Sequence, residues 1–170
     1  KENLKKMEDK INVTEGGVTA AQGFQAAGIA AGIKKGGTKD MAMVYSEKPC
    51  VCAGTFTTNV VKAAPVKWDQ KIVEESDYVQ AVVCNSGTAN ACTGQEGYSY
   101  CQETAKAAGK ALGISAEEVL VASTGVIGQQ LPMAVLKEGV KKLAPMLLGT
   151  KEAGTLAAEA IMTTDTVKKE

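Results

Sequence analysis

Two short apolar runs, VQAVVC (79–84) and VLVAS (119–123), each stop abruptly in a string of glycine, hydroxyl and amide residues. This feature constrains the fold most. A nearly continuous apolar run of this length suits a strand buried on both faces, as in layered α/β structures. Between the two runs lies a helical pattern from about Glu96 to Leu112. Cys101, Ala105, Ala108 and Leu112 share one face, and Gly113 stops it.

The flanking segments fill out the same architecture. From Gly16 to Gly37 small residues recur without helical spacing. A glycine inside a helix costs about 1 kcal/mol, so Gly23, Gly28 and Gly32 predict strand, bulge and turn. MAMVYS (41–46) and VCAGTFTT (51–58), separated by Glu47-Lys48-Pro49, read as a β-hairpin. Ser115 and Glu118 have the spacing of a capping box. Pro132 is placed as a first helical residue, ahead of a stripe of Met133, Leu136, Val140, Leu143 and Leu147. A last small helix is expected over about 153–160, followed by a polar tail. With no repeat and no linker, residues 1–170 are expected to form a single α/β domain of mixed β-sheet and packed helices.

Composition narrows the chemistry. All 19 cations are lysines, balanced by 19 acids, so the net charge is zero and no nucleic-acid partner is expected. With no histidine, the Ser-His-Asp triad, Cys-His pairs and His-ligated metals are excluded. The 18 glycines and 25 alanines suit close backbone packing. No apolar run is long enough to cross a membrane. The charged start, KENLKKMEDKINVTEGG, has no apolar targeting core, and five cysteines without a secretory signal fit a reducing cytoplasm.

The cysteines offer little catalytic promise. Cys50 and Cys52 sit two apart, which on a strand points their Cβ atoms to opposite faces, a poor metal bite. Cys84 ends a buried strand and Cys101 lies on an apolar helix face, so burial is the expected role. Cys92 alone stands in a Gly/Asn loop, with no histidine to act as its base. Gly36-Gly37-Thr38-Lys39-Asp40 reads as a turn, with a phosphate cradle the alternative. The strand-to-loop junctions are more informative. Thr124 brings a hydroxyl donor and Gly125 lets backbone approach a ligand. Together they fit either an oxyanion hole for acyl chemistry or a plain tight turn that satisfies itself.

Five strings occur in fixed order: GVTAAQGFQAAGIAAGIK, AGTFTTNVVKAAPV, CNSGTANACTG, ASTGVIGQQLPM and AIMTTDT. Together they closely resemble the ornithine acetyltransferase family, also called glutamate N-acetyltransferase, from about Gly17 to Thr166. The resemblance implies a precursor about twice this length that cleaves itself before a threonine into an α and a β chain. This chain would be the α chain. The catalytic nucleophile, the new N-terminal threonine, would then belong to β. It also implies that Thr124 and Gly125 form the oxyanion hole and that Thr163 contacts substrate, with Thr164 its neighbour of no assigned role. The family's Lys-Gly-Ser-Gly-Met stretch and cleavage site are expected after Thr166 and do not occur here. Thr88 departs from the asparagine usual in NSGTANA, a change expected to touch neither oxyanion donor.

The implied reaction is ping-pong transfer of acetyl from N-acetylornithine to glutamate in arginine biosynthesis. No metal or cofactor is implied, although some members accept acetyl-CoA as donor. The implied assembly is two α and two β chains. Two rival readings stand beside it. One is a self-processing N-terminal-nucleophile amidase or aminopeptidase that releases to water. The other is a non-enzymatic binding or assembly subunit.

Overall fold

The computed structural model describes residues 14–169; most of the charged start discussed above lies outside them. Strands β1 (Phe24–Ile29), β2 (Met41–Cys50), β3 (Val79–Thr88) and β4 (Val119–Val126) form one sheet in the order β1-β2-β3-β4. The first two pairings are antiparallel and β3–β4 is parallel. A parallel pair needs a long crossover. Helix α2 (Gly94–Leu112) supplies it, ending at Gly113 in the left-handed conformation. Helix α1 (Ala64–Glu75) precedes β3, and α3 (Met133–Leu143) and α4 (Lys151–Ala160) close the chain. The mixed α/β sheet expected from the sequence is the one observed.

Side-chain alternation divides the sheet into two unequal faces. Met41, Met43, Ala81, Val83, Val119 and Val121 point to one side, where helices α1, α2 and α3 bury them under Trp68, Ile72, Cys101, Ala105, Leu136 and Val140. On the other side, Ala26 and Ala42 pack on Ala157 and Ala160 of α4, with Val44 and Cys84 against them. The contact there is backbone to backbone: a Cβ at Gly28 would stand 2.1 Å from the Leu156 carbonyl oxygen. Helix α4 leaves part of this face open. Val44, Val82 and Cys84 remain half-buried and Ala122 is exposed.

The expected hairpin does not form. Both edges of β2 are taken, by β1 and β3, so no position is left for a strand at 51–58 to pair. Glu47-Lys48-Pro49 lies inside β2 instead, where the register slips between Tyr45 and Cys50. Ser46 stabilises this bulge by donating its hydroxyl to the Lys48 carbonyl at 2.7 Å. A bulge also accommodates a proline that has no N–H to give. Residues 51–61 then run irregularly, with Val51, Val60 and Val61 at 83%, 94% and 73% exposure.

Other boundaries moved less. The capping box at Ser115 is present, its N–H donating to Glu118 Oε2 at 2.9 Å. Pro132 caps α3 rather than opening it, and the expected stripe packs as Leu136, Val140 and Leu143 in the core. Helix α4 starts two residues early, at Lys151, where Thr150 Oγ1 accepts the Ala153 N–H. Helix α1 was not anticipated. Its signal was Pro65 in the first turn, followed by Trp68 and Ile72 four apart on the buried side.

Candidate active site

The two strand-to-loop junctions lie side by side. Strands β3 and β4 run on past their apolar stretches, pairing Asn85 with Ser123, Ser86 with Thr124, Gly87 with Gly125 and Thr88 with Val126. The sequence reads as loop over 85–94 and turn over 124–128, but 85–88 and 124–126 are the polar end of a parallel ladder. Ser123 Oγ donates to Asn85 Oδ1 at 2.6 Å across it. Beyond it Ala89 N–H reaches the Val126 carbonyl, and Gly128 N–H reaches that of Ala91.

Gly87 and Gly125 are required where they stand. Their φ angles are 106° and 132°, in the region that glycine alone enters freely. A Cβ on Gly125 would lie 2.3 Å from the Gly87 carbonyl carbon and 2.7 Å from the Thr88 nitrogen. The Thr88 departure thus lies with its backbone against Gly125, closer than sequence order suggested. Its residue is buried, and its carbonyl accepts from Asn85 Nδ2.

Strand β4 is the sheet edge, and α1 guards only its first half. Trp68 Nε1 donates to the Val119 carbonyl at 3.0 Å, and Val121 N–H donates to Asp69 Oδ1 at 2.9 Å. Burial raises the Asp69 carboxyl to about 6, against the lowering effect of the Val121 N–H. Backbone alternation then turns the N–H groups of Ser123 and Gly125 to the same outer edge, past the reach of α1. Thr124, one residue out of phase with Val121, projects on the less-covered face beside Ser86. Both Thr124 and Gly125 are exposed.

Thr163 is exposed just beyond α4, in a cleft of about 540 Å³ that it shares with Lys34, Lys39, Glu159 and Met162. Two contacts tie this end of α4 to the β3–β4 ladder. Ser86, the register partner of Thr124, donates its hydroxyl to the Ala160 carbonyl at 2.5 Å. Lys34 Nζ donates to the Met162 carbonyl at 2.5 Å and to that of Lys39 at 3.2 Å. The Lys34 stem is 3.1 Å from where a Cβ of Gly87 would be. Lys39 pairs with Glu159 at 2.9 Å.

The loop carrying Lys34 is organised by a residue the sequence reading passed over. Asp40, fully buried, accepts N–H bonds from Ala31, Gly32 and Lys34 at 2.6, 3.1 and 2.8 Å. Its carbonyl accepts the Ser86 N–H at 2.8 Å. The one clue was an acidic residue set directly before the apolar run MAMVY. Within the Gly36–Asp40 string, Gly36 and Gly37 belong to a 3-10 turn at Lys35–Gly37.

The cysteines do not converge on this place. Burial pushes the Cys84 thiol to about 11 and the Cys101 thiol to about 12, with the charge of Asp69 adding to each. Cys92 is exposed, and Cys50 donates its thiol to Ser46 Oγ. Among the described residues, no three of His, Cys, Asp and Glu are grouped to hold a metal, and no helix is long and apolar enough to cross a membrane.

The sequence profile of the ArgJ family matches residues 25–170, a span that includes Lys34, Thr124, Gly125 and Thr163. The chain belongs to the ArgJ family. It is 48% identical over 155 residues to the arginine biosynthesis bifunctional protein ArgJ of Gloeobacter violaceus, covering 91% of this chain and 38% of that protein. Against ArgJ 1 of Clostridium acetobutylicum the identity is 51% over 152 residues, covering 89% and 36%. The chain thus spans well under half the length of these ArgJ relatives. Among solved structures, the ornithine acetyltransferase of Mycobacterium tuberculosis, complexed with ornithine, superposes with a TM-score of 0.87 at 47% identity, covering 91% of this chain and 83% of that one. The ArgJ of Bacillus halodurans gives 0.85 at 40%, covering 89% and 78%.

Proposed function

We propose that this chain is the α chain of a glutamate N-acetyltransferase that carries acetyl from N-acetylornithine to glutamate. The observation that carries this reading is the Gly87–Gly125 pair. It holds the end of β4 in a conformation that frees an outward backbone N–H beside the Thr124 hydroxyl. Two donors on a rigid ladder suit an oxygen that gains negative charge during reaction.

The nucleophile in this reading is the N-terminal threonine of a β chain cut from the same precursor. Its hydroxyl attacks the acetyl carbonyl, and its own α-amino group, with an ordinary value near 8, takes the proton. The carbonyl oxygen becomes an oxyanion held by the Thr124 O–H and the Gly125 N–H. Collapse breaks the amide bond, the proton passes to the departing amine of ornithine, and acetyl stays on the threonine as an ester. The glutamate amine then attacks the ester through the same hole, forming N-acetylglutamate and restoring the hydroxyl. Thr163 contacts substrate from the cleft beside α4.

The half-covered sheet face at Val44, Val82 and Cys84 supports a partner chain, as does the exposed segment 51–61. The proposed assembly is α2β2, cytoplasmic, without metal or resident cofactor, and with acetyl-CoA as a possible second donor. The α chain by itself is inactive in this reading.

The test is to supply the complete two-chain protein with N-acetylornithine and glutamate and measure all products. Equal amounts of ornithine and N-acetylglutamate are expected. Free acetate formed at the same rate with or without glutamate would make the protein a hydrolase instead.

A further inference from the structure

The Lys34 side chain reaches into the cleft from the loop between β1 and β2. It lies two residues before the Gly36–Asp40 string. Lys34 is half-buried, and among the described residues it forms no ion pair. Its ammonium is spent on two backbone carbonyls instead, those of Met162 and Lys39. A hydrogen bond from a charged donor is roughly twice as strong as a neutral one.

The placement is specific at both ends of the side chain. At the near end, the Lys34 backbone is fixed by its N–H bond to buried Asp40, and its stem lies against Gly87. Gly87 in turn is packed on Gly125. At the far end, Nζ holds the carbonyl immediately before Thr163. Residues 162–166 belong to no helix or strand. Met162 N–H also donates to the Glu159 carbonyl at 3.3 Å, and the Thr163 backbone N–H donates to the Asp165 carboxylate.

We propose that Lys34 is a positioning residue that fixes Thr163 at a set distance from the Thr124–Gly125 pair. This rests on the reading of Thr163 as a substrate contact. Lys34 does not touch the reacting atoms. It acts through the Met162–Thr163 peptide, so its loss frees Thr163 without removing it, and the effect falls on substrate binding more than on the chemical step.

The test is a double-mutant cycle in the complete two-chain enzyme. Lys34→Met keeps the stem against Gly87 and removes the ammonium. It is expected to raise KM about tenfold and lower kcat less than about threefold. Thr163→Ala is expected to do the same, and the double variant should be no more than about twofold worse than the worse single, since both remove one function. Lys34→Arg, which keeps a charged donor within reach, should recover most of the loss. If Lys34→Met fails to assemble, Lys34→Gln takes its place in the cycle. Multiplying effects in the double variant, or an unchanged KM in the Lys34 variant, would overturn the proposal. An unchanged KM in Thr163→Ala alone would instead overturn the reading of Thr163 on which it rests.

Discussion

Gly87 and Gly125 face each other across the parallel β3–β4 pair so closely that Gly125 has no room for a side chain. A Cβ on Gly125 would stand 2.3 Å from the Gly87 carbonyl carbon, and one on Gly87 would stand 3.1 Å from the Ile33 and Lys34 side chains. Strand β3 is thereby pressed between the Lys34 loop and the free edge of the sheet. The positive φ at both glycines ties the shape of that edge to the backbone, independently of side-chain packing.

Substitution of Gly125 by alanine is therefore expected to be severe. Alanine keeps the N–H, so the change is electronically mild and hurts only if the backbone has a positive φ. The φ of 132° and the backbone clash make it structural. Strain of this kind costs on the order of 1–3 kcal/mol before the clash is added. Thermal unfolding of the complete protein should show Tm lowered by about 5 °C or more. An unchanged Tm would mean that the strands separate readily at this point.

Asp69 gives a pH dependence with a defined sign. Its carboxyl ionises near 6 in the folded protein and near the ordinary 3.8 when unfolded. The protonated form is favoured by folding, so its contribution is fully present below the unfolded value and is lost as pH rises through 6. Asp69→Asn keeps an acceptor for the Val121 N–H without the charge. The Tm of this variant relative to the parent is expected to rise as pH goes from about 4 to about 6, then level off. A flat difference across that range would contradict the assignment.

The thiols are expected to fall into distinct classes. Cys84 and Cys101, pushed to about 11 and 12, should resist alkylation at neutral pH until the protein unfolds. Exposed Cys92 should react first. Mass spectrometry after timed labelling reads the order directly. Cys92→Ser is expected to leave kcat within about twofold, because the chain has no histidine to act as a base for that thiol.

What the sequence made legible follows the physics of local signals. The buried strands announced themselves by apolar runs, α2 by its spacing and Gly113, and the 115–118 turn by its capping box. The 51–58 segment had the same β-rich composition yet formed no strand, because pairing depends on a free sheet edge and β2 had none left. Thr124 and Gly125 could be singled out as donor types, but their register against Ser86 and Gly87 is a long-range fact. Asp40 and Lys34 were missed for the same reason. Their partners, the Met162 carbonyl among them, are set by tertiary contact rather than by spacing along the chain.

The most direct measurement is steady-state kinetics of Thr124→Ala in the complete, processed enzyme. A donor aimed at the developing oxyanion acts mainly in the transition state, so its removal should lower kcat by about 10²–10³ with little change in KM. Thr124→Ser, which keeps the hydroxyl, should retain much more activity. Folding should be untouched, since Thr124 is exposed. A folded, processed Thr124→Ala enzyme with near-parental kcat would contradict the oxyanion role and leave the β4 terminus a structural turn.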